Sequence, residues 1–552
     1  MILTGLTLAG TTHAATLYKL ETADFTVLSD ASKRDVEKFA TGYAAYRKTY
    51  ADLLLPTGRR LPPARIILFR RQGDFEDLMD NGNHRKNTRL GSYSGDLDYG
   101  VLIAIPVDGN REHALRLIYE FDTIWGLRRS GFSLPLWASQ GTGEVLSSLE
   151  WNQNRIKVGV APPNFTDTMR GGRLIPWSRF LDINAASPEY NDSIRDGRFH
   201  AQAWLIMHWV LFGGDSWSDA RPRFESFTHA MAENSSDIAA IEQAFGLTAD
   251  QFEDAVTRHR RSTPKPFDIA FDEKTFLAEA QLGSATETEW FVELSNLAVM
   301  SKHEWEAYDY LEKARTMDPQ SVAVLEALGR RELREGRDDA AADFFHDAID
   351  AGSTNPKTYV RSAQRRLERA GFTHRLSPGG MSAIFARPAR NEIERALELY
   401  PDSDEAWLLL ARILIVSKDT APEEVTLLDD AITRQTRGEH LRYLRALLRE
   451  RFEDVAGARD DLRRVVSDPR NSPSLHENAR DVLFRSAIKD TAALVQEKAM
   501  AKDFAGAQQT LDDARTAIAG VVDEIDPQDN LGRLQAWLDK AQSLALNGGD
   551  GP

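Results

Sequence analysis

The sequence predicts two halves of different fold class, a mixed α/β N-terminal half and an all-α C-terminal half. Three observations support this division. Before residue 110, short runs of β-branched and aromatic residues alternate with stretches of helical spacing. Between 111 and about 260, apolar residues recur every three or four positions. From residue 288 the chain resembles itself at an interval of 34 residues, which is typical of stacked helical pairs.

The first half contains one small sheet covered by a helix. Strands are predicted at 25–28, 65–69 and 101–107, and the helix at 31–54, which together define a mixed subdomain over 17–110. Residues 111–261 form a mainly helical subdomain. The segment 262–287 opens with Ser-Thr-Pro-Lys-Pro, a composition that favours a linker.

The repeat over 288–356 is the strongest signal in the chain. Small residues recur where paired helices approach each other, and large ones recur where the space between helices is filled. Both features match the 34-residue tetratricopeptide pattern and predict an all-α tetratricopeptide-type solenoid. Generic packed helices are the alternative, but they would not share one offset at six positions. The matched pairs are Phe291/Leu325, Leu294/Leu328, Ser295/Gly329, Ala307/Ala341, Leu311/Phe345 and Ala314/Ala348.

Looser units extend the predicted array over 288–545. One of them has Ala363 and Ala396 separated by 33 residues where the pattern requires 19, so an insertion is predicted at 371–388. The concave face of such a solenoid usually binds peptide segments or partner proteins. A protein or peptide partner is therefore the expectation for this half.

Composition and charge exclude several classes of function. Hydrophobic residues make up 42% and charged residues 28%, as in folded proteins. The net charge of −16 disfavours a nucleic-acid partner, because such binding relies on neutralising phosphates. Without cysteine the chain forms no disulfide, thiolate zinc site or iron–sulfur cluster. No run of about 18 apolar residues is present, so no transmembrane segment is predicted.

The N-terminal segment 1–16 has the character of a signal-peptide remnant. It is apolar and rich in small residues, and Thr12 and Ala14 stand three residues and one residue before a cleavage point at Ala15. A basic region before the apolar run is missing. The segment predicts a periplasmic or secreted protein, or a cytoplasmic one if it is not a signal.

Residues 17–260 resemble the peptidase-like domain of the gluzincin type found in bacterial extracytoplasmic proteins. The order of strands and helices is similar. The most specific block is 134–144, Leu-Pro-Leu-Trp-Ala-Ser-Gln-Gly-Thr-Gly-Glu, where that family has Leu-Pro-x-Trp-Leu-x-Glu-Gly-x-Ala-Glu. The segment 199–211 is similar to the helix that usually follows. The resemblance implies an α+β metalloprotease-like N-terminal half.

The resemblance also implies where zinc would be bound. In the family, two histidines of a His-Glu-x-x-His helix and a Glu from the next helix hold the ion, and the intervening Glu activates its water. Here the two histidine positions hold Tyr119 and Thr123, and the third holds Gln140, while Glu120 and Glu144 match the family. All three ligand positions lack good zinc donors, so no metal, cofactor or catalytic residue is expected.

The histidines offer little to replace these ligands. None of the twelve is three or four residues from another, and His200 and His208 lie eight apart on one predicted helix. His113, Asp122, Glu120 and Glu144 could form an oxygen-rich site. Glu120 is read either as an ordinary helical carboxylate or as a hydrogen-bond partner of Gln140 or Tyr119. Trp137 and Trp204 are predicted core aromatics.

Three hypotheses follow. The first is a non-catalytic pseudo-peptidase with helical repeats, which binds a protein or peptide through a cleft and a concave helical surface. The second is a hydrolase with a remodelled site around Glu120, Asp122 and Glu144, which would act with or without a metal ion. The third is a structural scaffold in which the first half caps the solenoid, and cutting the chain at residue 287 would test it.

Overall fold

The computed structural model divides the chain into two compact units, Met1–Arg366 with Arg395–Asp402, and Leu367–Glu394 with Ser403–Pro552. The predicted signal segment lies outside the described residues, except for its last one. None of the described helices is both long and apolar enough to cross a membrane. The described residues are 16–55, 59–79, 92–94, 101–108, 111–129, 134–171, 174–191, 197–214, 216–233, 236–372, 376–434, 438–467, 471–518 and 530–546.

A six-stranded mixed sheet forms the centre of the first unit. Its strands are β1 (Tyr18–Glu21), β2 (Phe25–Ser29), β3 (Ala64–Phe69), β4 (Ser92–Ser94), β5 (Val101–Pro106) and β9 (Gln281–Ser284). They lie in the order β4-β5-β3-β2-β1-β9. The pairs β2–β3 and β3–β5 are parallel, and the other pairs are antiparallel. The predicted mixed α/β organisation of this region is confirmed.

Both faces of the sheet are buried, because successive side chains of a strand point to opposite sides. On one face, Val27, Ile66 and Ile103 share a core with helix α1 (Lys33–Leu54). The hydroxyl of Ser32 caps this helix by accepting from the backbone N–H of Asp35. The opposite face therefore needs a cover of its own.

Helices and one small sheet complete the region 111–261 and the segment after it. The mainly helical prediction is confirmed, but β6 (Glu150–Asn152) and β7 (Arg155–Val158) were not predicted. They form a three-stranded sheet with β8 (Phe267–Ala270). Helix α2 (Gln72–Met79) precedes this region. The helices of the region and of the segment after it are α3 (Arg111–Arg129), α4 (Leu136–Ser147), α5 (Pro163–Gly171), α6 (Trp177–Phe180), α7 (Pro188–Asn191), α8 (Arg198–Phe212), α9 (Ala220–Glu233), α10 (Asp237–Phe245), α11 (Ala249–Arg261) and α12 (Glu273–Glu279).

The interpretation of 262–287 as a linker is wrong. The segment contains β8, α12 and β9, and its strands pair with residues far away in sequence: Ile269 lies opposite Ile156, and Leu282 opposite Leu20. Each strand has only four residues, too few for a local pattern to be recognised. Pairing with distant strands, rather than local composition, makes them strands.

The first helical pair of the repeat region covers the second face of the sheet. It consists of α13 (Glu287–Met300) and α14 (Glu304–Met317), and only two residues separate α13 from β9. Leu294 and Leu297 share a buried cluster with Ile67 and Leu102 of the sheet. At the edge of this cluster, Arg65 and Glu293 form an ion pair of 2.9 Å. The first repeat is therefore part of the same core as the sheet.

Helical pairs continue through the described residues up to Leu546, as predicted. The small residues Ala307, Ala314, Ala341 and Ala348 are all buried, and a Cβ added to Gly329 would lie 2.7 Å from the ring of Phe345. Small side chains therefore allow close helix approach. The helices are α15 (Val322–Arg334), α16 (Asp338–Asp350), α17 (Pro356–Arg369), α18 (Ala383–Leu399), α19 (Asp404–Val416), α20 (Leu427–Arg434), α21 (Gly438–Arg451), α22 (Val455–Ser467), α23 (Pro473–Met500), α24 (Phe504–Ile518) and α25 (Asn530–Leu546).

The predicted insertion at 371–388 is partly helical, and its residues 373–375 lie outside the described ranges. Helix α18 begins at Ala383, inside the predicted insertion. Pro388 lies within its second turn, where it cannot donate a backbone hydrogen bond to the carbonyl of Ile384. Before the helix, the backbone N–H of Gly379 donates to the carbonyl of Ile415 at 2.9 Å.

Candidate functional site

Three helices of the first unit, α3, α4 and α8, converge on a cluster of polar side chains. Glycines of α4 permit this convergence: a Cβ on Gly141 would clash with the carbonyl of Ala203 in α8, and one on Gly143 would lie 3.1 Å from the Cγ of Glu120 in α3. The cluster, called here the acid–imidazole cluster, consists of Glu120, Gln140, Glu144 and His200.

Glu120 and Gln140 form a side-chain hydrogen bond with each other. The amide Nε2 of Gln140 donates to Oε1 of Glu120. Burial raises the pKa of Glu120 to about 8, and the negative charge of Glu144 adds to this rise, while the bond from Gln140 acts against it. Glu120 therefore carries a proton at neutral pH.

Glu144 and His200 form the second pair of the cluster. Nδ1 of His200 lies 2.9 Å from Oε1 of Glu144. Because a carboxylate only accepts, Nδ1 donates, and the Nε2 of a neutral His200 is then an acceptor. The ring of Tyr190 lies beside His200, with centroids 5.8 Å apart. The pKa of Tyr190 is raised by burial and by the charge of Glu120.

Tyr119 and Thr123 have different partners. The ring of Tyr119 stacks on Tyr46 of α1, with centroids 4.5 Å apart and planes at 2°. The hydroxyl of Thr123 lies 3.0 Å from that of Tyr46 and donates to the Tyr119 carbonyl at 2.7 Å. The hydroxyl of Tyr43 donates to Asp122 at 3.0 Å. These residues of α3 contact the tyrosines of α1.

The structure thus separates the five residues singled out in the sequence. Glu120, Gln140 and Glu144 belong to one cluster, whereas Tyr119 and Thr123 contact α1. Asp122 also contacts α1, and the side chain of His113 lies outside the description, so the oxygen-rich arrangement has no support. Among the side chains that the structure describes, no three His, Asp or Glu residues are placed to hold a metal ion.

Sequence reasoning missed His200 and Tyr190 as members of the site. His200 was weighed only as a metal ligand with His208, but His208 contacts His259 instead, at 2.9 Å. No local pattern links His200 to Glu144, because 56 residues separate them. The resemblance of 199–211 to a family helix was the one usable signal.

The two tryptophans predicted as core aromatics are buried, with exposed fractions of 1% for Trp137 and 0% for Trp204. That prediction is confirmed. The indole of Trp137 donates to Asp237 at 2.7 Å, which ties α4 to α10. Trp137 thus fixes the position of the helix that carries Gln140 and Glu144.

Comparison with known proteins finds similarity among solved structures. No family model matches the chain. No curated protein matches it either. Among solved structures, the chain is similar to the crystal structure of YrrB, described as a TPR protein with an unusual peptide-binding site. The sequence identity is 16% and the TM-score 0.27, and the match covers 34% of this chain and 89% of that one.

Proposed function

We propose that this protein is a non-catalytic binding protein, with a degenerate gluzincin-like domain over 17–261 and a tetratricopeptide-type array behind it. The bond from Gln140 to Glu120 is the observation that carries the proposal. In an active gluzincin-type site, these two positions would serve the metal and its water. Here their polar groups satisfy each other.

The protonation of Glu120 supports the same conclusion. A general base must be ionised before it can accept a proton, and a carboxyl with a pKa of about 8 is mostly protonated at pH 7. Tyr119 stacks on the ring of Tyr46, and the hydroxyl of Thr123 is hydrogen-bonded to that of Tyr46. These described contacts join both residues to α1 and not to Gln140. Among the described residues, this site therefore offers metal-dependent peptide hydrolysis neither a set of zinc ligands nor an ionised base.

Binding is the function that remains for this architecture. Helical pairs follow one another from residue 287 onward, and stacked pairs create extended surfaces suited to peptide segments. We infer a protein or peptide partner, with the gluzincin-like cleft as a second contact region. The periplasm or the cell exterior is the proposed location, on the strength of residues 1–16.

Metal analysis combined with a protease assay tests the proposal. After incubation with excess zinc and gel filtration, the protein is expected to retain far less than one zinc ion per chain and to cleave no generic peptide substrate. The Glu120→Gln variant is the control and is expected to behave identically. Stoichiometric zinc together with peptide cleavage that disappears in Glu120→Gln would refute the proposal.

A metal-independent hydrolase is the second candidate, and the acid–imidazole cluster favours it specifically. His200, oriented by Glu144, could take a proton from water through Nε2 as that water attacks an acyl carbonyl. The protonated Glu120 could donate a proton to the leaving group. Both groups of an acid–base pair are thus present in one cluster.

This candidate predicts an ester or peptide hydrolysis that resists chelators. His200→Asn and Glu120→Gln should each lower it about 100-fold or more, the usual contribution of a positioned acid or base. His346→Asn, at a half-exposed position of α16, serves as the matched control. The candidate fails if the wild type hydrolyses no substrate of a broad panel, or if His200→Asn retains the activity.

A further inference from the structure

Two aromatic side chains of α14 form an exposed ridge. Trp305 is 78% exposed and Tyr308 49% exposed. They lie three residues apart on one helix face, with ring centroids separated by 6.5 Å and planes inclined by 25°. Large aromatic side chains dominate the energetics of interfaces, so a tryptophan this exposed is a candidate contact residue for a partner.

The other aromatic rings of the same helix are in contact with cationic side chains. The guanidinium of Arg331 lies 5.5 Å from the centre of the Tyr308 ring and also donates to Glu312 at 3.1 Å. One cation is thus held by an aromatic face and a carboxylate together. A second example is Lys313, which lies 5.5 Å from the Tyr310 ring centre and pairs with Asp309.

Trp305 also combines an aromatic ring with nearby carboxylates, but no cation of this chain occupies it among the described residues. Among the described residues, no basic group lies over its ring, which is the most exposed of the three aromatic rings on α14. Its sequence neighbours Glu304 and Glu306 are exposed carboxylates. Glu304 lies four residues before Tyr308 and so shares its helix face, while Glu306 flanks the ridge on an adjacent face. The ridge therefore has an aromatic face with exposed carboxylates at its margin.

We propose that the ridge of Trp305 and Tyr308 binds a basic segment of a partner protein, with a Lys or Arg side chain stacked on Trp305 and paired with Glu304 or Glu306. This inference deepens the proposed binding function and rests on it. An acidic segment would be repelled by the flanking carboxylates. A second copy of this chain is disfavoured because each carries a net charge of −16.

Fluorescence anisotropy with a labelled Gly-Arg-Gly-Arg-Gly peptide at physiological salt tests the proposal. The wild type is expected to bind, and Trp305→Ala to weaken binding about threefold to tenfold, the size of a partly exposed cation–π contact. Trp305→Ala changes no charge, so non-specific attraction of the peptide to an acidic protein stays constant. Trp305→Phe, which keeps an aromatic face, should bind with intermediate affinity.

Two controls complete the design. Ile384→Ala removes an equally exposed apolar side chain elsewhere and should bind like the wild type. The double variant Glu304→Gln, Glu306→Gln should weaken binding severalfold, and more at low salt.

Equal binding by Trp305→Ala and wild type, no binding by the wild type, or equal binding of a Gly-Asp-Gly-Asp-Gly peptide would overturn the ridge proposal. The zinc and protease assays do not involve Trp305, so failure of the ridge and failure of the proposed function are distinguishable.

Discussion

A fragment that begins at residue 288 is expected to aggregate or to lose cooperative unfolding. Leu294, Leu297 and Ala298 of α13 are buried against the sheet residues Ile67 and Leu102. Removing residues 1–287 would expose this apolar face to water, at a cost of roughly 25 cal/mol for each Å². Thermal unfolding monitored by circular dichroism, with light scattering, measures the outcome.

The same interface can be tested in the full-length chain. Leu297→Ala should lower the free energy of unfolding of the first unit by about 2–5 kcal/mol, because the side chain is fully buried and leaves a cavity. Leu494→Ala, at a 43% exposed position of α23, is the matched control and should cost much less. Denaturant titration of both variants gives the comparison.

The outcome also decides the scaffold hypothesis. A large loss in the 288–552 fragment means that the first half stabilises the array, as the capping role requires. A soluble fragment that melts cooperatively near the wild-type temperature would contradict that role and the described packing of α13. A mild effect of Leu297→Ala, equal to that of Leu494→Ala, would contradict it as well.

Acid is expected to destabilise the first unit through the buried pair His208 and His259. Nε2 of His208 lies 3.2 Å from the carbonyl of Gly159, which can only accept, so Nε2 carries the proton. Nδ1 of a neutral His208 then accepts from Nε2 of His259 at 2.9 Å. A further proton on His208 would place two N–H groups face to face.

Both pKa values are lowered from 6.5. Burial is the main cause for each; the charge of His259 adds to it for His208, and the nearby Arg223 adds to it for His259. Arg223 is itself accompanied by Asp219. Because the unfolded chain takes up protons below pH 6.5 and the folded chain does not, stability falls as the pH decreases from 6.5 towards 4.

The expected loss is measurable. His208 alone should cost about 2 kcal/mol between pH 6.5 and 5, at about 1.4 kcal/mol per pH unit, and the more accessible His259 should add less. The measurement is the free energy of unfolding at pH 7.5 and pH 5. His208→Gln should reduce the difference between the two values, whatever its effect at pH 7.5. His346→Gln, at a half-exposed position, should leave the difference between the two pH values unchanged. If His208→Gln shows the same difference as the wild type, the prediction is contradicted.

Local patterns predicted much of the fold because they report burial within one element. The 34-residue interval located the helical pairs around Ala307 and Ala341, since the small residues at helix contacts recur with the repeat. The same reasoning failed for β8 and β9, whose four residues each have no periodicity to detect. It also placed a linker where the chain returns to the sheet.

The candidate site shows the same limit. The resemblance to the gluzincin type singled out Glu120, Gln140 and Glu144 on two successive helices, and a hydrogen bond between Glu120 and Gln140 was one of the interpretations considered. The fourth member of the cluster, His200, lies on a helix that begins more than 50 residues after Glu144. The stacking of Tyr119 on Tyr46 likewise joins residues 73 positions apart.

By itself the sequence determined the helical repeats, three strands of the central sheet (β2, β3 and β5), and the absence of histidine at positions 119 and 123, because each is encoded by neighbouring residues. Only the tertiary structure decided that the first repeat covers the sheet, that Glu144 orients His200, and that burial raises the pKa of Glu120. Those features depend on burial and on contacts between distant segments, and a linear pattern carries no information about either.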